Sequence, residues 1–426
     1  MRSLRGLLTT RGRAFVGAGL TLSLAGIIFG FRDLTRFGVL LVALPYISAL
    51  LVRTRQTRMR IERHLSPDRI TVGQDAHVAL AFENVSTTTT PVFLAEERLD
   101  YVLGDRPRFI VGRIPPGRVR IIDYTVRSHL RGRHHLGPLA VQVQDPFGLA
   151  TRNAVLEGTA DLVILPQVHP LSASRQPSSG VGSEGELAHL IALHGEDDVT
   201  IREYRDGDDL RRIHWPATAR TGDLMVRQED RPAQRRAVVL LDPRPDAHGG
   251  SGATGSFEWA VSACASIAAH LCESGYAVHL VCPETVDSGR VADPLQIDEI
   301  LDVLAITALR PKSTDDLLLR AAQGLAATGG FVVAIVGPRG HEVTGRLASL
   351  RQPGTSGLAL VLDSRAFGRT PATSDGRPGG IVGPDPVEPH VDALRLAGWR
   401  AIPVGRDDVV PHAWAVLTAA TVGGMR

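Results

Sequence analysis

Residues 201–230, IREYRDGDDLRRIHWPATARTGDLMVRQED, hold six Arg, seven acids, a Tyr and a Trp in thirty positions. Three chemistries could use such a mixture. Glu203, Asp208 and Asp209 could hold divalent cations for a hydrolase or nuclease, because two-metal sites are clusters of carboxylates. The arginines could hold a phosphate, but they alternate with acids and no Gly-rich amide cradle precedes a helix. The third use is a salt-bridged joint, in which Arg–carboxylate pairs neutralise one another and lock a compact unit. A nucleophile with an adjacent base is absent from the stretch, and His214, flanked by Ile213 and Trp215, reads as a satisfied structural histidine. The joint is therefore the leading use, and metal-dependent hydrolysis or nucleolysis by carboxylates near 203–209 is the alternative.

The local pattern says how these residues would be placed. VTIREY is a strand, Asp206–Gly207 a turn, and Asp208 or Asp209 caps a short helix through LRRIHW that Pro216 interrupts. On that helix Arg211 and Trp215 are one turn apart, with Trp215 as a large apolar anchor to be buried. Glu203 and Asp208 come near enough to meet Arg211 or Arg220. The chain then turns at Thr221–Gly222 and re-enters a strand at Leu224–Val226. A Ser/Gly/Pro-rich link, SASRQPSSGVGSEGE, leads into the segment, with order resuming around LAHLIAL.

The rest of the 426 residues must hold this segment in place. Residues 14–30 and 37–52 are uncharged apolar runs, each slightly short of the ~20 residues of a span, joined by FRDLTR. The first 63 residues carry eleven Arg against Asp33 and Glu62, a net of +9, leaving −7 for the remainder of a chain whose total is +2. Nine of those Arg flank the two runs and two lie between them. This predicts a membrane hairpin with both ends cytoplasmic. The acidic remainder argues against nucleic-acid binding, which needs a cationic footprint on the folded domains. Cys264, Cys272 and Cys282 form no CxxC pair and read as small core residues of a reducing compartment.

From 61 to 165 short strands alternate with Gly/Pro turns, the pattern of an antiparallel β-sandwich. His134 and His135 point to opposite faces of one strand and do not form a metal pair. DPFGL at 145–149 reads as a turn with Phe147 tucked under the sheet. After 235, near-continuous apolar strands such as RAVVLLD and FVVAIVG alternate with helical runs, predicting an α/β sheet with helices on both faces. GPRG at 337–340 is too short for a nucleotide fingerprint. RTPATSDGRPGGIVGPDPVEPH reads as an exposed loop. The expected organisation is a two-helix membrane anchor at 1–60, a β-sandwich at 61–165, a linker and charged segment at 166–234, and an α/β domain at 235–426.

The run REYRDGDDLRRIHWPATARTGDLMVRQ resembles the signature of the bacterial domain of unknown function 58 family. The matching positions are Tyr204, Gly207–Asp208, Arg211, Ile213–Trp215 and Ala219–Arg220–Thr221. The upstream hairpin, sandwich and DPFGL turn are similar too. The α/β domain resembles the von Willebrand factor A fold, whose first-strand loop reads Asp-x-Ser-x-Ser and binds a divalent cation. Here that loop is Asp242-Pro-Arg244-Pro245-Asp246, so Arg244 brings a positive charge where a cation would sit. Asp242 is a weak metal candidate, Thr314–Asp315 could supply later ligands, and no cofactor is expected. The anchor, the lack of a persuasive catalytic set, the altered cation loop and the resemblance together point to a scaffold or adaptor in the bacterial inner membrane, ahead of an enzyme. The resemblance implies that it would work with a MoxR-type AAA+ ATPase in assembly, maturation or envelope homeostasis.

Overall fold

The structure is a computed structural model. It describes residues 7–54, 58–171, 199–205, 213–229, 235–310, 315–327, 329–338, 341–352, 357–368 and 387–419. The expected link SASRQPSSGVGSEGE, its continuation LAHLIAL, Thr314 and most of the Gly/Pro-rich loop after 368 lie outside the described residues. Two compact units are present, Met1–Ile164 and Leu165–Arg426.

The first unit opens with α1 (Thr10–Ile28) and α2 (Arg32–Thr54), an antiparallel pair. Thr9 caps α1, its hydroxyl accepting from the N–H of Gly12 at 3.1 Å. The buried residues of α1 are Gly12, Gly19 and Gly26. Seven residues are just under two turns, so these glycines share one face. That bare stripe lets the backbones close up: a Cβ on Gly19 would lie 2.7 Å from the carbonyl oxygen of Gly38. The outer faces are apolar and uncovered, with Leu20, Leu24, Ile27, Phe37, Leu40 and Leu51 between 50% and 68% exposed. Among the described residues α2, with 23 residues, is the helix long and apolar enough to cross a membrane. The two-span expectation is met only in part by that measure. Helix α1 begins at Thr10, takes Arg11 and Arg13 into its first turn, and is left with a short uncharged stretch.

A β-rich region follows. Its strands are β1 (Met59–Ser66), β2 (Arg69–Thr71), β3 (Asp75–Asn84), β4 (Phe93–Glu97), β5 (Arg108–Val111), β6 (Val119–Arg127), β7 (Gly132–Leu136), β8 (Leu139–Gln144), β9 (Thr151–Leu156) and β10 (Ala160–Leu165). They form sheets ordered β1-β3-β6, β2-β10-β7 and β5-β4-β8-β9. Strand β3 shows why: Ala76, Val78, Leu80 and Phe82 are all fully buried, the period-two pattern of a strand with one face on a core. The guanidinium of Arg63 on β1 grips Glu97 at the end of β4, Nε to Oε1 at 2.9 Å, with both side chains buried.

The second unit holds a two-stranded antiparallel sheet of β11 (Val199–Glu203) and β12 (Met225–Glu229), and a five-stranded parallel sheet. The latter comprises β13 (Arg236–Leu241), β14 (Ala277–Val281), β15 (Phe331–Val336), β16 (Gly357–Leu362) and β17 (Arg400–Val404), ordered β14-β13-β15-β16-β17. Ala237, Val239 and Leu241 point into one core, shared with the helices 256–273, 297–306 and 410–418. Val238 and Leu240 point into another, shared with the helices 315–327, 341–348 and 388–396. Both faces are covered, which is why these strands are apolar throughout rather than alternating. Cys264 and Cys282 are buried in the first of these cores.

Candidate functional site

In a doubly wound sheet ligands bind outside the carboxyl ends of the strands, where the strand order reverses. Here that point lies between β13 and β15, and Asp242 stands on it. Its backbone N–H donates to the Ile335 carbonyl at 3.0 Å and its side chain is fully buried. Oδ1 accepts from the backbone N–H of Arg244 at 3.1 Å and from Arg244 Nε at 3.0 Å. Oδ2 accepts from Arg244 Nη2 at 2.9 Å and from the Gly337 N–H at 3.1 Å. The same Nη2 donates to the Pro338 carbonyl at 3.2 Å, so the guanidinium bridges the ends of both strands. Arg244 is itself buried. Burial pulls its pKa down, but Asp242, with Asp315 and Asp246, outweighs that and holds it above the ordinary value. His248 secures the loop, with Nε2 2.8 Å from the Asp242 carbonyl and Nδ1 3.0 Å from the Ser256 hydroxyl. A carbonyl only accepts, so Nε2 carries a proton. The loop after β13 therefore does more than cap a strand. It fills the crevice with the chain's own cation. GPRG contributes through Gly337 and Pro338, as backbone donor and acceptor, a role no side-chain motif announces. The sequence signal for the closure was Arg244 itself.

The 201–230 stretch is arranged differently from its expected form. Asp208 and Arg211, and with them the Asp206–Gly207 turn and the cap at 208–209, lie outside the described residues. Glu203 closes β11 opposite Met225 and is exposed. Tyr204 is half-buried, its N–H donating to the Leu224 carbonyl at 2.8 Å. Ile213 makes a β-bridge to Val226 and the His214 N–H donates to Met225, so neither is helical. The helix here, α3 (Trp215–Thr221), starts at Trp215, with Pro216 in its first turn. Proline has no N–H to lose there, so it opens this helix rather than breaking one. The expected one-turn stacking of Arg211 on Trp215 has no helix to carry it. His214 is the cap: its Nδ1 accepts from the Ala217 N–H at 3.2 Å. Gly222 ends the helix in a left-handed conformation (φ 83°), and Thr218 Oγ1 accepts from the Met225 N–H at 3.0 Å. Arg220 is exposed in the last turn. Trp215 is 66% exposed. The expectation of a buried anchor is corrected: position 215 is the first residue of a short helix pinned along the edge of a hairpin, and its ring is left in solvent.

Elsewhere several titratable groups pair with one another. A cleft of about 670 Å³ on the β-rich region, lined by Glu96, Leu99, Tyr101, Asp105, Arg106 and Arg108, has Arg108 on Glu96 at 2.8 Å. His134 and His135 turn to different acids, Asp100 at 3.3 Å and Asp161 at 2.6 Å. Among the described residues no three His, Cys, Asp or Glu are grouped to hold a metal ion. Phe147 is not tucked under the sheet but 64% exposed, and Leu149 is the large apolar residue of that turn that is buried.

Comparison with known proteins agrees with the sequence signature over a limited span. The uncharacterized protein YeaD of Bacillus subtilis is 24% identical over 161 residues. That stretch is 37% of this chain and 38% of the relative, so the chain spans well under half the length of the curated protein it matches. Among solved structures, the CARDB domain of a Pyrococcus furiosus protein is 14% identical, covering 26% of this chain and 90% of that one at a TM-score of 0.20. The Pseudomonas fluorescens alkylpurine DNA glycosylase AlkC is 16% identical, covering 31% and 39% at a TM-score of 0.20. Likeness at that level says nothing about what this chain does. Residues 200–296, which contain both α3 and the Asp242 loop, match the family described as "Protein of unknown function DUF58".

Proposed function

We propose that this protein is a membrane-anchored scaffold or adaptor. In this reading the α1–α2 hairpin lies in the bacterial inner membrane. The β-rich region and a von Willebrand factor A-like α/β domain face the cytoplasm, and α3 docks a protein partner. The resemblance implies a MoxR-type AAA+ ATPase as that partner. The observation that carries the reading is Trp215. A large aromatic is 66% exposed at the start of a helix whose backbone ends are already met by His214 and Gly222. Tryptophan is the side chain most enriched where one protein grips another. Two further observations support it. The crevice where such a sheet would take a small ligand is filled by Arg244. The hairpin's exposed apolar faces suit lipid, and its bare glycine seam is the packing that membrane helices use.

The docking claim is tested by placing a photocrosslinking amino acid at position 215, with Tyr101 as an exposed control, in cells that also make the MoxR-type ATPase. An adduct with the ATPase from 215 and none from 101 is the expected result. No adduct from 215, or equal adducts from both, rejects the claim. The membrane placement is tested by thiol labelling. A Cys in place of Asp33, between the helices, should label from outside intact cells and one in place of Ser66 should not. The reverse pattern rejects the orientation.

A further inference from the structure

The turn Asp145-Pro146-Phe147-Gly148-Leu149 is built tightly and attached to the base of the hairpin. The Asp145 carboxylate is buried, accepting from the N–H of Ala150 at 2.6 Å and of Phe147 at 3.0 Å. The outside of the turn is bound to the start of α1. The Thr9 N–H donates to the Leu149 carbonyl at 3.0 Å, and the Thr9 hydroxyl donates to the Gly148 carbonyl at 2.7 Å. Leu8 bridges to Ala150, and both pack with Ala49 and Val52 of α2. Gly12 must be bare, because a Cβ there would overlap the Leu149 carbonyl. The exit of α2 is held as well, with Arg152 Nη1 donating to the Arg53 carbonyl at 3.3 Å.

Against this close fit, Phe147 stands out into solvent and forgoes most of the stabilisation that burying a side chain of its size would give. Its height along the hairpin is fixed. The turn lies beside residues 9–12, and the uncharged run of α1 begins at Ala14, two residues or about 3 Å further along the axis. Cations surround that level. The Arg11 guanidinium comes within 3.9 Å of where a Cβ on Gly148 would stand, and Arg13 and Arg53 are exposed. An apolar ring beside arginines, at the level where a helix passes from charged to apolar, is the pairing that surface-bound membrane segments place at the boundary of headgroups and acyl chains.

We infer that the 145–150 turn is a membrane-contact element of the β-rich region. Phe147 inserts at the boundary of headgroups and acyl chains, and Arg11, Arg13 and Arg53 meet the phosphates of anionic lipid. The inference rests on the membrane reading of the hairpin. Its effect is to fix the β-rich region against the bilayer surface instead of leaving it to swing on a tether.

The test uses the full chain reconstituted in phosphatidylcholine–phosphatidylglycerol vesicles, with Phe147→Trp and Leu24→Trp variants measured as differences from wild type. Some of the lipid is brominated, either near the ester end or near the methyl end of the chains. Phe147→Trp should lose roughly half of its added emission to the shallow bromines and much less to the deep ones, as an interfacial aromatic would. Leu24→Trp should favour the deep bromines. Quenching of Leu24→Trp with none at Phe147→Trp overturns the inference and keeps the hairpin in the membrane. Quenching of neither overturns both. A nitroxide on Phe147→Cys, read by its accessibility to oxygen against a water-soluble relaxant, gives the same decision without the native tryptophans. Protection from both reagents would place a protein, not lipid, on this turn and would also overturn the inference.

Discussion

The loop after β13 and the helix α3 stand within one family-matched stretch, yet they treat their most distinctive side chains in opposite ways. At the loop, Asp242 and Arg244 are both buried, and hydrogen bonds of their side chains tie them to each other and to the strand ends. At α3 the backbone is met at both ends but the largest side chain is left in solvent. A buried polar group with its partners reports on what the fold requires. A large apolar group that the fold leaves uncovered reports on something outside it. The same stretch therefore contains a closed site and an open one, and the open one is the better place to look for function.

The strongest way to break this contrast is to open the closed site. Arg244→Ala leaves the Asp242 carboxylate buried without its cation and should cost about 3–5 kcal/mol in urea unfolding, the usual penalty for orphaning half of a buried pair. A loss below about 1 kcal/mol would mean that water or a metal ion replaces the guanidinium readily, and the site would no longer count as closed. Calorimetry on the intact wild-type chain in detergent supplies the complementary measurement. Mg²⁺ or Mn²⁺ should show no saturable binding tighter than about 0.1 mM. Tighter binding that disappears in Asp242→Ala would restore a cation-bridged docking model.

A second buried pair sharpens the first. In the β-rich region Glu97 pairs with Arg63, and burial, which raises the carboxyl pKa, outweighs the lowering by Arg63. A carboxyl whose folded pKa is raised holds its proton longer when folded than when unfolded. Its contribution to stability is full below the ordinary value of 4.5 and is lost as pH rises through the folded value. Stability should therefore fall over the interval just above 4.5, and Glu97→Gln should flatten that slope. An unchanged slope in Glu97→Gln would show that Arg63 compensates burial fully, and would remove the difference between the two pairs.

The sequence announced the architecture where periodicity is strong. The alternating residues of β3 and the continuous apolar runs of β13, β15 and β16 belong to elements of the expected kind, because burial on one face or two leaves those patterns directly. It was misleading where one proline can be read two ways. Pro216 ends a helix that precedes it or opens one that follows, and only the Ile213–Val226 bridge decides between them. Phe147 was misplaced for a related reason. A five-residue turn offers two apolar residues, Phe147 and Leu149, and composition cannot say which faces inward. Arg244 was legible as a charge at the end of β13, whereas the loop's long-range partners, Gly337 on Asp242 and Pro338 on Arg244, act through backbone atoms that any sequence possesses.

The cap of α3 is a smaller test. His214→Ala removes the side-chain acceptor of the Ala217 N–H, leaving it the His214 carbonyl, and should cost no more than about 1 kcal/mol, while His214→Asn, which can cap in the same way, should restore most of it. If Asn restores nothing, His214 has a task other than capping, and the helix could no longer be described as internally complete. That description matters, because only an internally complete helix makes its exposed tryptophan a surplus.

Trp215→Ala should have the smallest effect on stability and the largest on association. The ring is mostly in solvent, so truncation should shift urea unfolding by no more than about 0.5 kcal/mol, as at other surface positions. If α3 is the docking face, the same change should weaken recovery of the partner by ~30-fold or more, the ~2 kcal/mol expected when a central tryptophan is removed from an interface. The two measurements separate the possibilities. A stability loss of several kcal/mol would mean that Trp215 is a packing residue after all, and the contrast with the Asp242 loop would disappear. Unchanged stability with unchanged recovery would keep the contrast but deny it a function, sending the search for the docking face elsewhere on the α/β unit. Unchanged stability with lost recovery, reproduced by Trp215→Ser and restored by Trp215→Phe, would identify an aromatic ring at position 215, rather than the charges around it, as what the partner recognises.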